Sequence, residues 1–129
     1  MRKINIACII DDDPIFVFGT KRIMQLSNFC EGIMVFGNGK EAHDSLKAII
    51  LAKEPQPDII LLDLNMPIWD GWQFLDEFIK IPNDYPIIIY IITSSIDPAD
   101  VEKAKKYDAV SNYIVKPITT AELKNILSN

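Results

Sequence analysis

A chain of 129 residues, 49% hydrophobic and 24% charged, has the make-up of an ordinary globular domain and can bury roughly two thirds of the surface its unfolded form exposes. Its 18 acidic side chains outnumber 13 basic ones, for a net charge of −5, which argues against direct nucleic-acid binding because a phosphate backbone rewards clustered Lys and Arg. No run approaches the roughly 20 apolar residues of a membrane span, and Cys8 and Cys30, without CxxC spacing or a His cluster, read as reduced thiols of a cytoplasmic protein.

The start, "MRKINIACII", is basic and then apolar, but Asn5 interrupts it and three aspartates close it, so it lacks the h-region and cleavage site of a signal peptide. Ile4 to Ile10 reads instead as a first strand. Asp11, Asp12 and Asp13 follow, and Asp13-Pro14 supplies an N-cap and first-turn proline for a helix. Gly32 to Phe36 is a second strand candidate, and "GNGKE" after it lacks the spacing of a phosphate-binding P-loop. Ala42, Leu46, Ile49 and Ile50 recur at helical spacing. His43, the only histidine, lies among them and reads as a surface or half-buried helical residue.

Asp58 to Leu62 is the third strand, and it runs into Asp63 and a Met66-Pro67 break. Phe74, Leu75, Phe78 and Ile79 form the next helical stripe, and Ile87 to Ile92 the fourth strand, followed by Thr93 and Ser94. The segment "DPADVEKAKKYDA" offers only Val101 and Ala104 as an apolar stripe, which makes it the most easily shifted helix. Asn112 to Val115 is the fifth strand, ending at Lys116. Thr119 or Thr120 ahead of Glu122 opens a last helix carrying Leu123, Ile126 and Leu127.

Strict alternation of strand and helix implies an α/β fold: a doubly wound, five-stranded parallel sheet with five helices, joined by right-handed crossovers. With no linker in sight, residues 1–129 read as one domain. The carboxyl ends of parallel strands share one edge, where ligands bind. That edge collects Asp11, Asp12 and Asp13, then Asp63, Thr93, Ser94 and Lys116. Singly these are caps and solvated loops. Together, carboxylates brought so close repel one another and call for a cation, and an all-oxygen set suits Mg²⁺ before Zn²⁺. Lys116 and Thr93 add a positive charge and a hydroxyl donor, which describes a place for a phosphoryl group on Asp63.

"CIIDDDP", "LLDLNMPIWDG", "YIITSS" and "NYIVKP", in this order, resemble the receiver domain of two-component response regulators, in particular the stand-alone kind found in chemotaxis, and the resemblance covers essentially the whole chain. It implies a flavodoxin-like strand order 2-1-3-4-5 and phosphoryl transfer from a phosphohistidine, on a sensor histidine kinase or a histidine phosphotransfer protein, to Asp63. It further implies Asp12 as a direct Mg²⁺ ligand, Asp11 as its water-mediated companion, and the Asn65 carbonyl as another ligand. Thr93 and Tyr113 correspond to the switch pair, Lys116 to the phosphate-pairing lysine, and Pro117 to a cis-proline after it. Residues 98–107, 112–115 and 119–127 would then form the face that binds a downstream protein or a second copy. A haloacid-dehalogenase-type phosphohydrolase is the alternative enzyme, but it needs a second Asp where Asn65 stands, and its nucleophile follows the first strand. A receiver-fold interaction module that takes no phosphate would have lost an acid or the lysine, and none is lost. With the sequence ending at Asn129, the expectation is a stand-alone regulator or phosphorelay shuttle ahead of one domain of a larger protein.

Overall fold

The computed structural model describes residues 4–128, with side chains described through residue 126. In chain order the elements are β1 (Ile6–Ile10), α1 (Pro14–Leu26), β2 (Gly32–Phe36), α2 (Gly39–Leu51), β3 (Ile59–Leu62), α3 (Gly71–Phe78), β4 (Ile88–Thr93), α4 (Pro98–Ala104), β5 (Val110–Val115) and α5 (Thr120–Ser128). The strands form one parallel sheet in the order β2-β1-β3-β4-β5, the topology expected from the sequence. Because strand side chains alternate between faces, the central strands feed two cores. Ile9, Leu61 and Ile92 pack with Met24 of α1 and with Leu123 and Ile126 of α5. Ile10, Ile60, Leu62 and Ile91 pack on the opposite face with Leu46 of α2 and Phe74 and Leu75 of α3.

Caps define where the helices begin. Asp13, Asn38, Asp70 and Asp97 each accept a backbone N–H from the first turn of α1, α2, α3 and α4. Thr119 and Glu122 form a reciprocal capping box, at 3.0 and 3.1 Å, ahead of α5.

Beyond one-residue shifts at β3 and β4, three boundaries differ from the sequence reading. β1 starts at Ile6 rather than Ile4, because the Asn5 and Ile6 N–H groups both donate to Asp58 Oδ2, at 2.7 and 3.0 Å. β5 starts at Val110 rather than Asn112: Ile89 pairs with Val110 but Tyr90 with Asn112, so Ser111 is the extra residue of a bulge, which hides the earlier part of the strand from a period-two pattern. Ile79, placed in the α3 stripe by its spacing, lies just past the last turn and is exposed. The Leu127 side chain lies outside the described residues.

Asp58, buried at the start of β3, also accepts from the Tyr85 hydroxyl. It thereby ties the entries of β1 and β3 to the segment leading into β4. Asp58→Ala strands these three donors, so urea unfolding should show a loss of about 3 kcal/mol or more at unchanged m-value, against about 1 kcal/mol for Tyr85→Phe. A second clasp joins α3 to the end of α4. Trp72 stacks on Tyr107 with ring centroids 5.6 Å apart, Lys103 Nζ lies 4.6 Å from the Trp72 ring, and the Tyr107 hydroxyl donates to Asp76 at 2.7 Å. Burial, helped by that carboxylate, pushes the Tyr107 phenol up to about 12.

Candidate functional site

The carboxyl ends of β1, β3, β4 and β5 converge as a doubly wound sheet requires. After β1, the Asp11 N–H donates to Phe36 O at 3.0 Å, which extends the ladder and keeps the residue buried. Its Oδ1 accepts from the Asp13 N–H at 2.9 Å. Its buried Oδ2 accepts no hydrogen bond of good geometry among the described residues and faces the Lys116 ammonium, 2.8 Å away. Asp12 points to the exterior. Asp13 turns to the Ile15 N–H as the cap of α1 and takes no part in the cluster.

After β3, the Asp63 N–H donates to Ile10 O at 2.9 Å, so the acid sits level with Asp11. Asp63 is buried, its Oδ1 accepts from the Leu64 N–H at 2.9 Å, and its Oδ2 stands 3.7 Å from Lys116 Nζ. The loop that follows is held on both sides by glycines. Gly71 donates to Leu64 O, and Gly39, at the start of α2, donates to Trp69 O. In that loop Ile68 has φ 68° and an exposed side chain, an uncommon conformation for a β-branched residue. Asn65 is exposed in the same loop.

Thr93 ends β4 fully buried, its Oγ1 accepting a long 3.4 Å bond from the Ser95 N–H. The Lys116 N–H donates to Thr93 O at 2.8 Å, which pins the start of the β5–α5 loop beside it. The Lys116–Pro117 peptide is cis. The Lys116 ammonium also lies 4.4 Å from the centroid of the Phe16 ring. A groove of about 410 Å³ runs outward from here along α1, lined by Ile15, Phe16, Thr20, Ile23, Lys116 and Pro117 among others.

Tyr113 does not join the cluster. Its half-buried ring is turned inward and its hydroxyl donates to Ser95 O at 2.9 Å. Burial is the main cause that raises its phenol pKa, with nearby aspartates adding to it. Ser95 Oγ donates to Asp100 at 2.7 Å, so one residue links Thr93, Tyr113 and the first turn of α4. The reading of the sequence left Phe16 and the Ser95–Asp100 bond unassigned. An apolar residue in a helix and a serine in a loop carry no pattern that marks such contacts.

One oxygen each from Asp11, Asp12 and Asp63 lies within 4.8 Å of the others. Burial raises the Asp11 pKa above the ordinary carboxylate range and the charge on Asp63 adds to this, against the opposing pull of Lys116 and the Asp13 N–H. Two buried acids and an exposed third, with one oxygen of each within 4.8 Å of the others, fit a hard divalent cation bound through oxygen. Lys116 Nζ, 3.7 Å from Asp63 Oδ2, sets a positive charge beside that carboxylate.

A family model described as "Response regulator receiver domain" matches residues 7–128. The transcriptional regulatory protein PrrA of Mycobacterium leprae is 31% identical over 116 residues, 89% of this chain and 45% of PrrA. The chain thus spans about half the length of the curated relatives it matches. A two component response regulator from Cytophaga hutchinsonii is similar in structure, with a TM-score of 0.88 and 33% identity, covering 98% of this chain and 96% of that one. The receiver domain of sensor histidine kinase PA1611 from Pseudomonas aeruginosa, solved with a magnesium ion in its active site cleft, shares the fold at a TM-score of 0.78 and 22% identity, over 96% of this chain and 94% of that one.

Proposed function

The chain belongs to the response regulator receiver family of two-component signalling, and on that premise we propose that it accepts a phosphoryl group from a phosphohistidine on Asp63 and signals through the changed surface. The observation that carries this reading is the placing of Lys116 between two buried acids, 2.8 Å from Asp11 and 3.7 Å from Asp63, beside a third acid. Asp63 is the nucleophile: a bond forms from its carboxylate oxygen to phosphorus as the bond to the donor imidazole nitrogen breaks, and that nitrogen keeps the electron pair. The Leu64 N–H orients the carboxylate by holding Oδ1. Lys116 neutralises a phosphoryl oxygen, and the Thr93 hydroxyl donates to another.

Asp11, Asp12, Asp63 and the Asn65 carbonyl would hold Mg²⁺, which supplies positive charge to the phosphoryl oxygens when bound. The phosphodonor is a sensor histidine kinase or a histidine phosphotransfer protein. The groove along α1, lined at one end by Lys116 and Ser94, offers such a donor a surface beside the strand ends. As the Thr93 hydroxyl turns to the phosphoryl group, it releases the Ser95 N–H; the Ser95 carbonyl that holds Tyr113 and the Ser95 hydroxyl that holds Asp100 move with it. The face made by residues 98–107, 112–115 and 119–127 is therefore the output surface for a downstream protein or a second copy of the chain. An acidic net charge of −5 supports readout by protein contact. No helix among the described residues is long and apolar enough to cross a membrane. Free Cys8 and Cys30 support a cytoplasmic setting for the single receiver unit. Phosphorylation and its reversal are self-catalysed, with no turnover of outside substrates.

Incubation with acetyl phosphate and Mg²⁺ should place one acid-stable, alkali-labile acyl phosphate on the chain, and EDTA should abolish it. Mg²⁺ alone should raise the melting temperature, since a ligand at one hundred times its Kd adds about 2.7 kcal/mol to the folded state. Labelling that is indifferent to EDTA, or no label at all, would refute the assignment.

A further inference from the structure

We propose that Phe16 is a positioning residue for Lys116: its aromatic face supports the ammonium while that group passes from Asp11 to an incoming phosphoryl oxygen. The inference rests on the phosphoacceptor reading above and adds to it a residue from outside the strand ends.

The geometry is specific. Lys116 Nζ has one close ionic partner, Asp11 Oδ2 at 2.8 Å, a more distant one, Asp63 Oδ2 at 3.7 Å, and the Phe16 ring centroid at 4.4 Å. Phe16 is third in α1, and the start of that helix is set by the Asp13 cap and Pro14 at the first turn. Its ring is 9% exposed and packs in the same core as Ile118, just past the lysine. The ring is therefore held from behind while it faces the ammonium.

A ring differs from a carboxylate as a partner. A lone pair rewards one direction, whereas the ring quadrupole attracts a cation over its whole face. A lysine bonded to Asp11 must break that bond to serve a phosphoryl oxygen, and with acids alone around it the exchange has no support midway. With Phe16 beneath it, the ammonium can pivot and keep one attraction throughout. An aliphatic side chain of similar size fills the core but offers the cation nothing, so the lysine stays on Asp11 or extends along the groove towards water.

The test compares wild type with Phe16→Leu, which keeps apolar volume, and Phe16→Tyr, which restores a ring. Urea unfolding checks that each is folded, and Phe16→Met replaces the leucine variant if that one is not. Initial rates of labelling by acetyl phosphate at saturating Mg²⁺ should fall roughly three- to tenfold in Phe16→Leu and recover to within about twofold in Phe16→Tyr. Mg²⁺ affinity should stay within about twofold in all three, because the ring supplies no oxygen ligand. In parallel, proton NMR of the Lys116 ε-methylene should show an upfield ring-current shift in wild type that is lost in the leucine variant and regained with tyrosine. A wild-type labelling rate in Phe16→Leu, a tyrosine variant as slow as the leucine one, or a wild-type Lys116 shift without ring-current displacement would each overturn the proposal. Absence of any label on wild type would instead fault the phosphoacceptor reading, and the NMR series still decides whether the ring holds the lysine.

Discussion

Asp63→Asn should eliminate the acyl phosphate proposed for Asp63 while leaving the fold in place. An amide oxygen can still accept the Leu64 N–H that Asp63 Oδ1 accepts at 2.9 Å, so the local backbone has no reason to move. What is lost is the charged carboxylate proposed as the nucleophile. The charge balance shifts as well. Burial is the main cause that raises the Asp11 pKa and repulsion by Asp63 adds to it, so removing that neighbour relieves the crowding of acids, and the unliganded variant should unfold at a urea concentration equal to or above that of wild type. Affinity for Mg²⁺ should fall, with one of three clustered carboxylates gone. Peptide mapping after acetyl phosphate treatment checks the first point: a stoichiometric label surviving in Asp63→Asn would show that another side chain is the acceptor.

Gly71→Ala should damage both stability and labelling, although the residue bears no functional group. A methyl there would fall 2.5 Å from Asp63 O, 2.9 Å from Leu64 Cα and 3.1 Å from Leu64 Cδ2. Two of these atoms are backbone and cannot swing aside, so either α3 lifts away or the peptide after Asp63 shifts. Overpacking of this kind costs about 1–3 kcal/mol, occasionally more. The second cost is catalytic: a misplacement of about 1 Å in a reacting group can lower a rate on the order of 10²-fold. Gly19→Ala is the contrast, since a methyl at Gly19 meets nothing within 4 Å. In the middle of α1 it should stabilise by roughly 0.5–1 kcal/mol. Urea titration and single-turnover labelling of the folded fraction measure both effects; a Gly71→Ala protein that labels at the wild-type rate would show that the α3 contact does not set the geometry of Asp63.

The strand ends were legible in the sequence because burial on both faces makes each central strand an unbroken apolar run, and such a run announces its end with the first polar residue. Asp11, Asp63 and Thr93 stand at such ends, Lys116 follows the edge strand β5, and parallel pairing brings them level. The helix starts were legible too, since Asp13-Pro14 and Thr119 with Glu122 carry their capping function in the residue types themselves. What stayed hidden depended on tertiary contact. The bulge at Ser111 disturbs a short edge strand whose alternation is weak to begin with. The left-handed backbone at Ile68 could not be foreseen, since isoleucine disfavours it and only the clamped loop enforces it. The inward turn of Tyr113 is decided by a carbonyl eighteen residues away. The partnership of Phe16 with Lys116 joins a first-helix residue to one a hundred positions later, and no local pattern encodes it.

β3 carries a buried acid at each end, Asp58 just before its first residue and Asp63 just after its last, and the contrast between the two divides the labour of the sheet. Asp58 is saturated: two backbone N–H groups and a phenol hydroxyl claim its oxygens, so its charge is consumed in closing the floor of the molecule. Asp63 accepts one backbone N–H and faces an ammonium too far for a close ion pair, which leaves it acceptor capacity to offer a newcomer. The two carboxylates are chemically identical and stand one short strand apart. Their different degrees of coordination make one a rivet and leave the other open to a newcomer.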